Sequence, residues 1–219
     1  MSWLKSFIHW GFLFVQLITA ILAFRCWSRN RSIAWRIFII IWVLTFITET
    51  AGKIMGSYGI HNLWLYNFFD AVFYPGIVLF FTDVFAKGWL KNFAVFASGG
   101  LFVWAVLYLS THDIFKTLNT YYALVAGIII IFFALVFLVR SSLDKRSTIP
   151  LHNDYYYWFC AGFFIYFTFN AIMFGMYTEI IESQVSWLPT FTFFANHLIT
   201  LVLHLCLWSG FRAAFKWMK

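Results

Sequence analysis

Seven stretches of this sequence are nearly free of charge and long enough to cross a bilayer, which takes about 20 apolar residues per helix. They run approximately Phe7–Phe24, Ile33–Gly56, Leu63–Ala86, Trp89–Ser110, Asn119–Arg140, Tyr155–Tyr177 and Pro189–Trp217. Of the 219 residues 63% are hydrophobic and only 11% charged, too much apolar surface for a soluble domain of this size to hide. The fold class expected is therefore all-α: a polytopic membrane protein with seven transmembrane helices, residues 1–219 forming a single transmembrane domain. The last segment is long enough to leave the membrane as a short amphipathic tail.

Lysine and arginine set the expected orientation. Arg25, Arg29, Arg31 and Arg36 flank the first connection, Lys87 and Lys91 the third, Arg140, Lys145 and Arg146 the fifth, and Arg212, Lys216 and Lys219 the tail. Only Lys5, Lys53 and Lys116 fall on the other side. The positive-inside rule then puts the N-terminus outside and the C-terminus in the cytoplasm. The formal charge of +7 is accounted for by these basic loops, so no nucleic-acid partner is expected. Cys26, Cys160 and Cys206 are odd in number and widely spaced, which gives no disulfide framework. Phe7–Phe24 leads into arginines without a small-residue cleavage site and reads as a retained first helix. With short connections throughout, no kinase, cyclase or DNA-binding output is expected within the chain.

The stretch Thr45 to Asp70 carries two acids, Glu49 and Asp70, inside otherwise apolar runs. A carboxylate in hydrocarbon costs roughly 2.5–3.5 kcal/mol on insertion scales, so it is usually kept for function or for a partner. Helical rise places Glu49, Asn67, Asp70, Asn170, Asn196, His197 and His9 all in the outer half of their segments. Helical spacing also groups them by face: Thr45, Thr48, Glu49 and Gly52; Asn67, Asp70 and Tyr74; Tyr166, Asn170 and Tyr177; His197, Thr200 and His204; His9 and Gln16. The fourth and fifth segments lack such stripes, apart from Tyr121 and Tyr122, and read as lipid-facing or packing helices. A polar pocket near the extracytoplasmic side follows, with Glu49, Asn67, Asp70, Tyr74, Asn170, Asn196 and His197 as its candidate ligand-binding residues.

Each member has a plainer reading. Glu49 and Lys53, four residues apart, can pair with each other. Asp70 can act as neutral interhelical glue, and the two asparagines as packing amides. Lone histidines in membranes are more often structural than ligating. Pro75-Gly76 predicts a kink in the third helix, since proline removes one backbone hydrogen bond. Trp3, Trp10, Tyr58, Trp64 and Trp187 read as outer interfacial anchors, and Trp27, Trp35, Trp89, Trp158 and Trp217 as inner ones. Thr48 and Ala51 align with Thr168 and Ala171, Trp64-Leu65 with Trp187-Leu188, and Phe68-Phe69 with Phe193-Phe194 after a two-residue slip. This is the faint pattern of a three-plus-one-plus-three repeat.

Thr48-Glu49 followed by Asn62-Leu63-Trp64-Leu65-Tyr66-Asn67 resembles small seven-helix integral membrane proteins of Bacteroidetes-type bacteria. The resemblance covers mainly the second and third helices. It implies a bacterial inner (cytoplasmic) membrane and a signalling partner, and it implies no activity.

Three functions fit these residues. The first is a small sensor or receptor-like subunit, with lipid around it and a separate partner protein to read it, alone or as a homo-oligomer. The second is a proton-coupled small transporter using Glu49 or Asp70. The third is an intramembrane metal hydrolase with zinc on His197, His204, Asp70 and Glu49, and His9 nearby. No tight zinc motif occurs, and His204 lies about 10 Å deeper than His197 by helical rise. No catalytic residue and no cofactor is assigned on the leading, sensor reading. A retinal Schiff base is excluded because the last helix has no lysine before Lys216.

Overall fold

A computed structural model describes residues 2–28, 32–115, 119–143, 153–175 and 188–217. The described residues form seven α-helices: α1 (Ser2–Arg25), α2 (Ile33–Ser57), α3 (Leu63–Val84), α4 (Trp89–Thr111), α5 (Thr120–Leu143), α6 (Tyr155–Gly175) and α7 (Leu188–Trp217). All seven are long and apolar enough to cross a membrane. Their outer surfaces carry the residues expected against lipid: Phe14, Phe24, Ile33, Phe96, Leu107 and Leu143 are among the exposed large side chains.

Sequential helices pack side by side, and α1 against α7 with α3 against α5 closes the bundle, leaving α4 outside against α3. Contacts at the two ends fix the up-and-down order. At one end Cys26, Trp35, Phe80, Tyr155 and Phe211 meet; at the other Glu49, Tyr66 and Asp70 lie near His9 and His197. The first is the basic end, carrying Arg25, Arg36, Lys91, Arg212 and Lys216. A repeat of α1–α3 in α5–α7 would give this packing, but so would any closed bundle in this order. Trp187, on which part of that alignment rests, lies outside the described residues, as do Arg29, Arg31, Lys116, Lys145, Arg146, Tyr177 and Lys219. The Trp3, Lys5 and Trp217 side chains do too.

Packing toward the basic end is aromatic. Trp35, Phe38, Phe80, Phe81, Phe159, Phe163 and Phe211 are at most 1% exposed. Phe38 stacks on Phe80 at 4.2 Å between ring centroids and meets Phe159 edge-on at 5.1 Å, the offset and T-shaped geometries that ring quadrupoles favour. Trp35 therefore corrects the sequence reading. It is no interfacial anchor but a core residue, its indole Nε1 donating to the Cys26 carbonyl at 3.1 Å. Trp10, Trp89 and Tyr58 are exposed as anchors should be.

Local signals explain how this end is tied. Ser32 caps α2 by accepting from the Trp35 amide at 3.0 Å, while its hydroxyl donates to the Asp83 carboxylate. Asp83 is thus used to pin the start of α2 to the end of α3. Gly88 opens α4 at φ +96°, a conformation that side chains rarely adopt. Pro75 lies inside α3, which runs helical from Leu63 to Val84. Ser98 on α4 donates to the Pro75 carbonyl at 2.9 Å. Beside it, Gly76 lets Ile41 come so close that a Cβ would sit 2.1 Å from its Cδ1.

Candidate functional site

Away from the basic end the bundle opens into a cavity of about 400 Å³ between α1, α2, α3, α6 and α7. His9, Phe12 and Gln16 face it from α1, Trp42, Thr45 and Glu49 from α2, and Tyr66, Asp70 and Tyr74 from α3. Tyr166 on α6 and Asn196, His197, Thr200 and His204 on α7 complete the polar wall. The same five helices had been singled out by their polar stripes. Nothing from α4 or α5 is among the lining residues, as expected of lipid-facing or packing helices, although Tyr122 of α5 is buried and its hydroxyl donates to the Asp70 backbone carbonyl at 3.5 Å.

Of the candidate ligand-binding residues, Glu49, Asp70, Tyr74, Asn196 and His197 line this cavity. Asn67 and Asn170 do not. Asn67 donates from Nδ2 to the Ile114 carbonyl at 2.9 Å and so ties α3 to the chain between α4 and α5. Asn170 donates to the Tyr166 carbonyl one turn back, also at 2.9 Å. Both therefore make packing contacts. Glu49 does not pair with Lys53. Its partner is Tyr66, whose hydroxyl donates to Oε2 at 3.3 Å, and Asp70 interacts electrostatically with Glu49 nearby.

A glycine makes that contact fit. A Cβ on Gly52 would lie 2.5 Å from the Tyr66 hydroxyl, so only a bare backbone admits Tyr66 against α2. Asn62, just before α3, donates to the Gly52 carbonyl at 2.9 Å and clamps the same junction.

The hydrogen bonds of the histidines define which ring nitrogen is left for the cavity. His197 Nδ1 lies 2.7 Å from the Phe193 carbonyl, which can only accept, so Nδ1 carries a proton, and in the neutral ring Nε2 is the acceptor. His204 Nδ1 lies 2.7 Å from the Thr19 hydroxyl. That hydroxyl also donates to the Val15 carbonyl at 3.0 Å and accepts from Trp208 Nε1 at 2.7 Å. With its one proton given to Val15, Thr19 satisfies all its neighbours only if His204 donates from Nδ1, which again leaves Nε2 as an acceptor.

Two further atoms at the cavity have no hydrogen-bond partner: the Gln16 carbonyl Oε1 and the Trp42 indole Nε1–H. Both side chains are more than nine-tenths buried, at 7% and 2% exposure. A buried polar group without a partner costs about 1–3 kcal/mol, which gives such groups a reason to meet a ligand. The wall mixes acceptors, among them the Glu49 and Asp70 carboxyls and the Gln16 amide oxygen, with the hydroxyls of Tyr66, Tyr74 and Tyr166, the Asn196 amide and the Trp42 N–H, between the aromatic rings of Phe12, Trp42, Phe69 and Phe73.

Sequence reasoning missed Trp42, Tyr66 and Thr19 as parts of the site. Trp42, Thr45, Glu49 and Gly52 are spaced i, i+3, i+7, i+10, and Tyr66 precedes Asp70 by one turn, so the helical stripe that found their neighbours also contains them. Thr19 carries no comparable signal, because its role depends on α7.

Among the described residues no three His, Cys, Asp or Glu side chains come together in a group that could hold a metal ion. His197, His204, Asp70 and Glu49 share the cavity wall without converging. No family model, no curated protein and no solved structure matches the chain.

Proposed function

We propose that this chain is a small seven-helix membrane sensor or receptor-like subunit that binds a small organic cation, an amine or related ammonium, in the cavity between α1, α2, α3, α6 and α7. The observation that carries the reading is an aromatic-walled cavity that brings two carboxyl groups, Glu49 and Asp70, together. A carboxylate attracts an ammonium directly, an N–H donor satisfies imidazole Nε2 and the Gln16 oxygen, and aromatic faces add cation–π attraction of about 0.5–2 kcal/mol. A volume of about 400 Å³ lies in the range of small-molecule sites.

The aromatic packing of α2, α3 and α6 below the cavity favours a sensor over a carrier. In this reading the N-terminus is outside, the basic end faces the cytoplasm of a bacterial inner membrane, and a partner protein or a second copy reads the change in helix packing. Reporter fusions after Lys219 and at the N-terminus test the orientation. A cytoplasmic N-terminus would reverse it.

Binding is tested on purified protein by titrating a panel of primary and quaternary amines, with neutral isosteres as controls, against Trp fluorescence and thermal stability. Saturable binding of one or more amines, weakened about tenfold or more by Glu49→Gln or Asp70→Asn, is expected. Binding of the neutral isosteres alone, or amine binding indifferent to both variants, would overturn the reading. The runner-up, a proton-coupled carrier, draws on the same carboxylates and histidines in one cavity. Amine uptake into liposomes driven by a proton gradient would favour it.

A further inference from the structure

A second cavity, of about 600 Å³, opens at the basic end between α1, the start of α6 and the last turns of α7. Its polar lining is cationic: Arg25, Arg212 and Lys216, with the Asn153 amide and the Ser209 hydroxyl. Among the described residues that line it there is no carboxylate. Leu22 and Phe215 are part of its apolar wall, and the Arg25 guanidinium sits 4.9 Å above the Phe215 ring, which holds the charge in place.

Position narrows the ligand. Arg25 ends the apolar span of α1 and Lys216 that of α7, so the three cations stand at headgroup depth while the wall beneath them continues into hydrocarbon. Cations at helix C-termini also offset the dipole there, which is a sufficient reason for one basic residue per helix end. It does not account for three that converge from two helices on one cavity.

We infer that this cavity holds the phosphate headgroup of an anionic membrane phospholipid, with the guanidinium groups of Arg25 and Arg212 and the Lys216 ammonium on the phosphate oxygens and the first acyl carbons against Leu22 and Phe215. Guanidinium groups bind phosphate oxygens two at a time, and basic pockets between transmembrane helices suit such headgroups. The volume is large for a free phosphate ion and leaves room for the glycerol unit. The site lies at the opposite end of the bundle from the amine cavity and does not depend on it.

The test is lipid retention by the full chain in nanodiscs of phosphatidylcholine with 0–20% phosphatidylglycerol, read by native mass spectrometry and thermal melting, with inorganic phosphate as the soluble probe. Expected are saturable, selective retention of phosphatidylglycerol and a rise in melting temperature. Each of Arg25→Gln and Arg212→Gln should weaken retention by about fivefold, the worth of one basic residue near a charged surface. Arg25→Lys should restore most of the loss, and Arg140→Gln, away from the cavity, should leave retention unchanged. Equal retention by wild type and both glutamine variants would overturn the inference, as would displacement of the lipid by millimolar inorganic phosphate.

Discussion

Replacing Phe38 by alanine should cost less than the same change in a water-soluble core, and the reason can be worked from its surroundings. Phe38 is fully buried, with Phe80 at 4.2 Å, Phe159 at 5.1 Å, and Trp42, Phe163 and Phe211 at about 6 Å. A buried Phe→Ala change in a soluble protein removes both a transfer term and a packing term, about 3–5 kcal/mol together. In a bilayer the unfolded helices still lie in hydrocarbon, so the transfer term largely cancels and packing remains. About 100 Å³ of lost side chain at about 24 cal/mol per Å³ of cavity gives about 2.4 kcal/mol, less whatever the neighbouring rings recover by collapsing inward. The control is Phe96→Ala on α4, whose side chain is 78% exposed and should change stability by no more than about 0.5 kcal/mol. Reversible unfolding in bicelles, by steric trapping, measures both. Equal costs for the two variants would refute the assignment of Phe38 to a packed interior and Phe96 to lipid. A Phe38→Ala cost of 5 kcal/mol or more would refute the cancellation of the transfer term.

Gly52→Ala should displace the Tyr66 hydroxyl, which would lie 2.5 Å from the new Cβ; if the proposed amine site uses that hydroxyl, Gly52→Ala and Tyr66→Phe should weaken amine binding alike, within about twofold in titrations, and a normal Gly52→Ala would detach that contact from binding. Thr19→Val keeps the side-chain volume but strands Trp208 Nε1 and His204 Nδ1 together, so a loss of about 1–3 kcal/mol is expected by the same unfolding assay, while an unchanged stability would show the hydroxyl to be dispensable. Asp154, just before α6, accepts from the Tyr156 amide, yet burial outweighs this and holds its carboxyl above the usual carboxylate range. Its proton is therefore bound more tightly in the folded state, so its contribution is full below the unfolded pKa and is lost as pH rises through the raised folded value. Relative to Asp154→Asn, which keeps the cap acceptor, wild-type stability should fall as pH rises from the ordinary carboxylate value through the raised one and then level off; a rise would contradict the sign.

The helices were legible because membrane spans are signalled by composition over about 20 residues, which no single position can spoil. Their faces were legible wherever a polar residue interrupted the apolar run, as for Glu49, Asp70 and His197. The method failed for residues whose polarity is spent locally. Asn170 has the right depth and face, but its amide reaches its own helix backbone, and Asn67 is taken by Ile114. Sequence spacing says where a side chain points and nothing about which acceptor lies nearest. Trp35 failed in the opposite sense. A tryptophan near a helix end suits an interface, and only the placement of Cys26 beside it shows that its indole is satisfied inside the bundle.

The two halves of the bundle meet on α2, and this bears on how a bound ligand could be felt at the far end. Trp42 lines the cavity with an unpartnered Nε1–H, and one turn earlier Phe38 sits in the aromatic packing, the two rings meeting edge-on at 6.1 Å. Trp42 also meets Phe73 at 6.2 Å and His204 at 6.0 Å, so its indole touches rings from α3 and α7 as well. A ligand that carried an acceptor beside its ammonium and took a hydrogen bond from the indole N–H would have to turn or hold this ring, and close packing leaves its neighbours little room to stay as they are. Below Phe38, Trp35 and the Ser32–Asp83 bond continue the same helix to the basic end. Coupling of this kind requires two arrangements of the rings, one of which the ligand prefers. A Trp42→Phe variant, which keeps the ring and loses the N–H, separates holding the ligand from reporting it: in the sensor reading it still binds an amine through Glu49 and Asp70 but transmits less to the basic end.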